Sequence, residues 1–338
     1  MFRTATFIAV ICLCSFSATG AYAQPRVDES EYYKARLVPR NTAKSFIVYH
    51  VDTERIVAAL NPDYVNSIAS LAKMMTCLIA DERLKYDIKY TLTQDEAKAL
   101  KLAQPQAKMS KKDPKESGGL FPDEPPPPPP PVQMTLNQMI DLAMVPSNNT
   151  VCKIIARLID GDESAFANRM TTRAAELGME ESIYCNSTGL PSKFTQHSTA
   201  RDQLLLALEV LKRPKLIESA AKHSIFHLEQ WDSTMLYLKE RYAVRGIKTG
   251  WTNAAGRCMA ILLEHPKHGR FVIVMLKSAS IPQGFVDAEI IMSRFGLIQL
   301  TPDALLYEAR RQEEERVKQA LAEQAGIKPM EGKIPASG

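Results

Sequence analysis

The sequence predicts an α+β sandwich in which one antiparallel sheet joins the two ends of the chain. Two β-patterned runs stand early, a helical stretch fills the middle, and three more β-patterned runs come late. Strands segregated from helices in this way favour antiparallel pairing over the alternating order of a parallel sheet.

Residues 45–51 (SFIVYHV) and 55–60 (RIVAAL) are rich in β-branched and aromatic side chains and flank the polar turn Asp52-Thr53-Glu54. A helix follows over 70–82, where Leu71, Met74, Met75, Leu78 and Ile79 recur on one face. Composition then shifts. Residues 104–132 are rich in Lys, Pro and Gly and end in seven consecutive prolines, 125–131. A proline run stays extended as polyproline II, so it reads as a semi-rigid solvated insertion rather than as a ligand for a proline-binding module. Helices are expected over 136–144, 148–159 and 163–177. Another starts near 198, with Ala200, Leu204, Leu205, Leu208 and Leu211 on its buried side. Strands over 244–250, 256–264 and 270–278 follow, the last two turning at His265-Pro266-Lys267-His268-Gly269. A helix over 284–295 closes the domain. The tail, 301–338, is mostly charged, and its thin stripe of Leu305, Leu306, Val317 and Leu321 suits a solvated helix better than a membrane-surface one.

At 338 residues the chain has room for a sizeable core, and 45% hydrophobic with 24% charged residues is a globular balance. A net charge of +4 from 42 basic and 38 acidic residues is too mild for a nucleic-acid binder. Arg3, an apolar run over 5–15 and Ala21-Tyr22-Ala23 form a secretory signal peptide, which sets residues 1–23 apart and starts the mature chain near Gln24. The protein is therefore expected outside the cytoplasmic membrane, in the periplasm or cell envelope. Cys77, Cys152, Cys185 and Cys258 lack metal-site spacing. One or two disulfides or isolated buried thiols are both open to them.

The chemistry lies in three separated motifs. Ser70-Leu71-Ala72-Lys73 opens a helix, and alone it means little, because Ser219-Ala220-Ala221-Lys222 repeats the pattern. Only Ser70 precedes the single Ser-x-Asn, Ser147-Asn148-Asn149, and the single Lys-Thr-Gly, Lys248-Thr249-Gly250. This trio in this order belongs to penicillin-binding proteins and class A β-lactamases. A serine in the first helical turn has a free N–H for a developing oxyanion, and Lys73 is one turn on, within reach of its hydroxyl. Burial and a second cation, Lys248, would strip the proton that keeps Lys73 from acting as a base.

The sequence resembles the low-molecular-weight penicillin-binding proteins, the serine D-Ala-D-Ala carboxypeptidases of the peptidase S11 type. The resemblance runs through A-S-L-A-K-M-M-T at 69–76, M-V-P-S-N-N-T at 144–150, N-S-T-G-L-P at 186–191, H-S-T-A-R-D at 197–202, G-I-K-T-G-W-T-N-A-A-G at 246–256 and F-V-D-A-E at 285–289. It implies a β-lactamase/DD-peptidase-like fold, with an antiparallel sheet flanked by helices and an all-helical subdomain carrying Ser-x-Asn. The catalytic domain would span 24–300. The resemblance casts Ser70 as acyl-ester nucleophile, Lys73 as general base and Ser147 as proton relay. Asn149, Lys248, Thr249 and Gly250 would bind substrate, and the Trp251 N–H would complete the oxyanion hole. The implied partners are peptidoglycan stem peptides ending in D-Ala-D-Ala and β-lactam antibiotics as covalent inhibitors. No metal, organic cofactor or nucleic acid is implied. Where the family usually has Ser-Gly-Asn-Asp-Ala, this chain has Ser147-Asn148-Asn149-Thr150-Val151.

Other readings share parts of this pattern. A DD-endopeptidase shares the acylation step. A β-lactamase needs a glutamate in a loop to activate the deacylating water; Glu163, with Asn168 five residues on instead of four, matches that poorly and falls in a predicted helix. A non-catalytic cell-wall scaffold would not need all of these motifs. His223 and His227 could hold zinc only if helical, whereas Ser224-Ile225-Phe226 reads equally as strand. His197 reads as a helix-entry residue.

Overall fold

The computed structural model describes residues 41–102, 130–193, 196–227, 229–299 and 316–317. The expected leader, nearly all of the proline-rich stretch 104–132 and nearly all of the charged stretch 301–338 lie outside them.

Strands β1 (Ser45–His50) and β2 (Arg55–Leu60) form the early hairpin. Helix α1 (Ala72–Arg83) follows, with every residue from Ala72 to Ala80 buried. Strand β3 (Lys89–Thr91) and the short helix α2 (Gln94–Ala99) lead to the insertion, and β4 (Gln133–Thr135) returns from it to pair with β3. The insertion thus leaves and re-enters over one small two-stranded base. Helices α3 (Leu136–Met144), α4 (Asn149–Asp160) and α5 (Glu163–Glu176) pack around α1 as the helical subdomain. Their starts are encoded locally: Thr135 and Gln138 form a capping box, and the Asn148 and Asp162 side chains cap α4 and α5. Helices α6 (Ala200–Leu211) and α7 (Pro214–Ala221) bring the chain back to the sheet. A hairpin of β5 (Ser224–His227) and β6 (Glu229–Asp232) and helix α8 (Leu236–Arg241) precede the last three strands, β7 (Val244–Thr252), β8 (Gly256–His265) and β9 (Gly269–Ser278). Helix α9 (Ile281–Arg294) ends the domain.

The main sheet runs β2-β1-β9-β8-β7, all antiparallel, so β1 from the start of the domain is zipped to β9 from its end. Period-two alternation divides its residues between two cores. Ile47, Tyr49, Val272 and Val274 join the larger core with α1 and the helical subdomain. Phe46, Val48, Ile273 and Met275 face the smaller core beneath α8 and α9. Both faces are covered, which is why β8 and β9 are apolar almost throughout instead of alternating. Strand β7 is left at the edge, alongside the turn that leads into α1. Cys77, Cys152 and Cys258 are buried free thiols, and Cys185 is a half-buried one. Among the described residues no helix is long and apolar enough to cross a membrane.

Candidate active site

The site forms where the entry to α1, the entry to α4 and edge strand β7 meet. Ser70 sits in a single 3-10 turn, Ala69–Leu71, that runs into α1. Ala69 just before it has φ 47°, a left-handed conformation disfavoured for any residue with a Cβ. Two glycines hold this turn in place. A Cβ on Gly189 would run into the Ala69 carbonyl, and one on Gly250 would come 2.9 Å from the Ser70 nitrogen. Backbone therefore closes on the Ser70 turn from the loop on one side and from the sheet edge on the other.

The fully buried Lys73 places its Nζ 2.8 Å from Ser70 Oγ and donates to the Thr188 carbonyl at 2.7 Å. That carbonyl belongs to a tightly built loop. Asn186 Oδ1 accepts from Thr188 N, Thr188 Oγ1 and Gly189 N at 3.1, 2.9 and 2.8 Å, and its Nδ2 donates to Leu190 O at 2.9 Å. The Ser187 carbonyl accepts from Thr76 of α1 at 2.7 Å. Ser187 Oγ and N donate to Glu163 Oε1 at 2.6 and 3.2 Å. Glu163 is thus the first residue of α5 and anchors this loop.

Lys248 and Thr249 are also buried, on β7. Burial pushes the Lys73 ammonium below the usual lysine range. It pushes Lys248 well below that range, and the nearby charge of Lys73 adds to the effect. Two amines in one dry site cannot both hold a proton cheaply. Thr249 Oγ1 meets Thr234 Oγ1 at 2.7 Å. On α4, Asn149 has a buried Oδ1 with no hydrogen-bond partner among the described residues. Ser147 has φ 65°, and no hydrogen bond joins its hydroxyl to either lysine. Trp251 follows on β7, half-buried and opposite Arg257 of β8. Ser70, Lys73, Lys248 and Gly250 are therefore gathered closely, with Thr249 beside Lys248, and Ser147 stands apart from the direct contacts.

Sequence reasoning passed over Arg257. Only 5% exposed, it donates from Nη2 to the Thr234 carbonyl at 3.2 Å and lies over the Phe285 ring at 4.9 Å. Its Cβ and Cγ fill the space that Gly284 leaves open. Among the described residues Nε has no partner and no carboxylate pairs with the guanidinium. Burial lowers its pKa to about 10. An unneutralised guanidinium thus stands behind the Thr234–Thr249 pair. The sequence signal is an arginine at the head of an apolar strand, RCMAILL.

Ser219 and Lys222, the second match to the nucleophile pattern, lie elsewhere: Ser219 is in α7, and Lys222 is paired with Asp141 at 2.7 Å. His223 precedes β5, and His227 ends it, so their spacing is not helical. Among the described residues no group of three or more His, Cys, Asp or Glu gathers to hold a metal.

The D-alanyl-D-alanine carboxypeptidase family, peptidase S11, matches residues 33–278. The chain belongs to this peptidase S11 family. Among its relatives, a D-alanyl-D-alanine endopeptidase of Escherichia coli is 25% identical over 238 residues, 66% of this chain and 67% of that protein. The D-alanyl-D-alanine carboxypeptidase DacF of Bacillus subtilis is 26% identical over 247 residues, 71% of this chain and 58% of that one. The S11 chain thus spans about three fifths to two thirds of the length of these relatives. Its fold is that of Listeria monocytogenes penicillin-binding protein D2, solved in an ampicillin-bound form, with a TM-score of 0.59 and 22% identity over 76% of this chain and 98% of that one. The expected α+β, DD-peptidase-like architecture is therefore correct, and so is the family.

Proposed function

We propose that this S11 protein is a serine D-Ala-D-Ala carboxypeptidase that trims peptidoglycan stem peptides through a Ser70 acyl-enzyme. The observation that carries the reading is the buried Lys73 amine, 2.8 Å from the Ser70 hydroxyl and disfavoured in its charged form. As Ser70 Oγ attacks the carbonyl of the penultimate D-Ala, its proton passes to Lys73 Nζ. The N–H groups of Ser70 and Trp251 receive the oxyanion. Asn149 Oδ1 accepts the substrate's backbone N–H. Lys73 gives that proton back through the Ser147 hydroxyl to the departing amine, D-Ala leaves, and water then cleaves the ester, its proton passing to Ser70 Oγ as the acyl bond breaks. Thr249 and Lys248 hold the terminal carboxylate, with Arg257 behind them as a source of positive field.

The test is to incubate the purified protein with an acetylated peptide ending in D-Ala-D-Ala, and separately with penicillin. Released D-Ala and a penicilloyl adduct mapped to the peptide containing Ser70 support the reading; an adduct elsewhere overturns it. The endopeptidase alternative is favoured by the printed names of relatives such as the Escherichia coli one, and product analysis on cross-linked muropeptides separates the two. The β-lactamase alternative is disfavoured because Glu163 is engaged by Ser187. Penicillin should therefore persist as an ester. In this reading residues 1–23 direct export, 24–300 form the catalytic unit with its insertion at 104–132, and 301–338 form a charged tail. The enzyme then works in the periplasm or cell envelope.

Arg257 offers a second test. Removing a buried, unneutralised charge in favour of an apolar side chain of similar length is often neutral or stabilising. Arg257→Met is expected to keep or raise Tm while lowering kcat/KM for the D-Ala-D-Ala peptide by about 10- to 100-fold, the worth of roughly one charge-assisted contact. A lowered Tm with unchanged kcat/KM would assign Arg257 a purely structural role.

A further inference from the structure

Thr234 lies between β6 and α8, outside all three motifs, yet it bonds to the surroundings of two of them. Its N–H donates to the Val145 carbonyl at 3.1 Å, two residues ahead of Ser147. Its carbonyl accepts from Arg257 Nη2 at 3.2 Å, and its Oγ1 accepts from the Thr249 hydroxyl at 2.7 Å. The residue before it is fastened too. Ser233 N donates to the His223 carbonyl at 2.7 Å, and Ser233 Oγ accepts from the buried Lys239 amine at 2.9 Å. Thr234 is thus held from the helical subdomain, from β8 and from β7 at once, with its hydroxyl against the threonine of Lys248-Thr249-Gly250.

In this arrangement Thr249 gives its one hydroxyl proton to Thr234 and keeps only lone pairs for a ligand. A carboxylate offers only acceptors, so it would be met by an oxygen and not by a donor. Turning two hydroxyl hydrogens repairs the mismatch with no heavy atom moved. Thr234 Oγ1 then donates to Thr249 Oγ1, and the Thr249 proton points at the carboxylate. A hydroxyl that accepts one hydrogen bond while donating another is polarised and donates more strongly. The Arg257 guanidinium is bonded to the Thr234 carbonyl and, among the described residues, has no carboxylate of its own. Its charge favours an anion on this side of the site. Valine in place of Thr234 keeps nearly the same shape and removes the reversible partner.

We infer that Thr234 is a positioning residue for substrate recognition: its hydroxyl reverses its bond to Thr249 and so aims the Thr249 proton at the terminal carboxylate. The inference rests on the DD-peptidase reading above. Two activated substrates test it. One is acetyl-D-alanine esterified to D-lactate, with a free carboxylate; the other is the same compound with that carboxylate masked as a methyl ester. Release of acetyl-D-alanine gives kcat/KM for each, and the readout is their ratio, free over masked. Thr234→Val and Thr234→Ala are each expected to lower that ratio about three- to tenfold, as loss of one cooperative hydroxyl contact does. Thr234→Ser, which keeps the hydroxyl, is expected to retain the ratio within about twofold. A purely structural role would slow both substrates alike, and a ratio unaltered in the valine and alanine variants overturns the inference while leaving the DD-peptidase reading standing. A ratio that rises in them, or that falls as far in the serine variant, does the same. If the unaltered protein releases acetyl-D-alanine from neither ester and penicillin leaves no adduct, the underlying reading fails and the inference with it.

Discussion

Ser70→Ala is expected to abolish the penicilloyl adduct and to lower D-Ala release by on the order of 10^6-fold, as loss of the nucleophile does in a serine peptidase. Among the described residues the hydrogen-bond partners of Lys73 Nζ are Ser70 Oγ and the Thr188 carbonyl, with no second hydroxyl. The alanine variant should therefore keep its lysine in place and fold normally while losing its chemistry. Lys73→Met should approach the same floor, and the double variant should fall no further, because groups that act as one unit are not additive. The acylation rate of the unaltered enzyme should rise with pH. The amine accepts the Ser70 proton only when neutral, and its pKa is lowered, so the neutral fraction is larger near pH 7 than for an ordinary lysine and grows further as pH increases. Stopped-flow acylation across pH, with intact-mass detection, measures all of this. An adduct on the alanine variant, or a rate that falls as pH rises from acid to neutral, contradicts the assignment of nucleophile and base.

Gly189→Ala is expected to be among the most damaging small substitutions in the molecule. Gly189 has φ +85°, and its added Cβ would collide with the Ala69 carbonyl and approach Ser70 N at 2.8 Å. The obstacle is the Ala69–Ser70 peptide group, which is backbone and cannot rotate away. A loss above about 4 kcal/mol, or no soluble protein, is expected. Gly161 supplies the control. It has nearly the same φ, +83°, at the end of α4, yet nothing lies within 4 Å of its added Cβ. Gly161→Ala should therefore report the backbone term alone, about 1–2 kcal/mol. Urea unfolding of both variants separates the two contributions. Equal losses would mean that the Ala69–Ser70 turn yields easily, and with it the idea of a rigidly held nucleophile.

Long elements were legible in the chain. Helix α3 and strand β2 have the predicted limits, and α1, α4, α5 and the late strands differ from expectation by a residue or a few. Their hydrophobic period extends over enough residues to be recognised. Helix α2, helix α8 and the β3–β4 pair were not foreseen, because three to six residues carry no period and these pieces exist through tertiary contact. Helix α7 also went unread, although Pro214 at its first turn was a usable start signal. The expected helix start at Ser70 is a 3-10 turn with a left-handed alanine before it, a conformation enforced by Gly189 and Gly250 from elsewhere in the chain. In the site, Ser70, Lys73, Asn149, Lys248 and Thr249 could be named because motif order identifies side chains. Thr188 escaped, since it acts through a carbonyl that every residue possesses. Arg257 escaped because only packing makes its missing counter-ion visible.

The pairing of Ser45 with Leu276 sets the order in which this protein can be completed. Strand β1 emerges first but must wait for more than two hundred further residues before β9 arrives to flank it. Closure over so long a separation is slow. Until then the inner edge of β1 has no strand to pair with, and the young chain is open to aggregation. A nascent polypeptide halted anywhere before β9 would lack the middle of its sheet, so catalytic competence should appear abruptly, with the final stretch, rather than accumulate during synthesis.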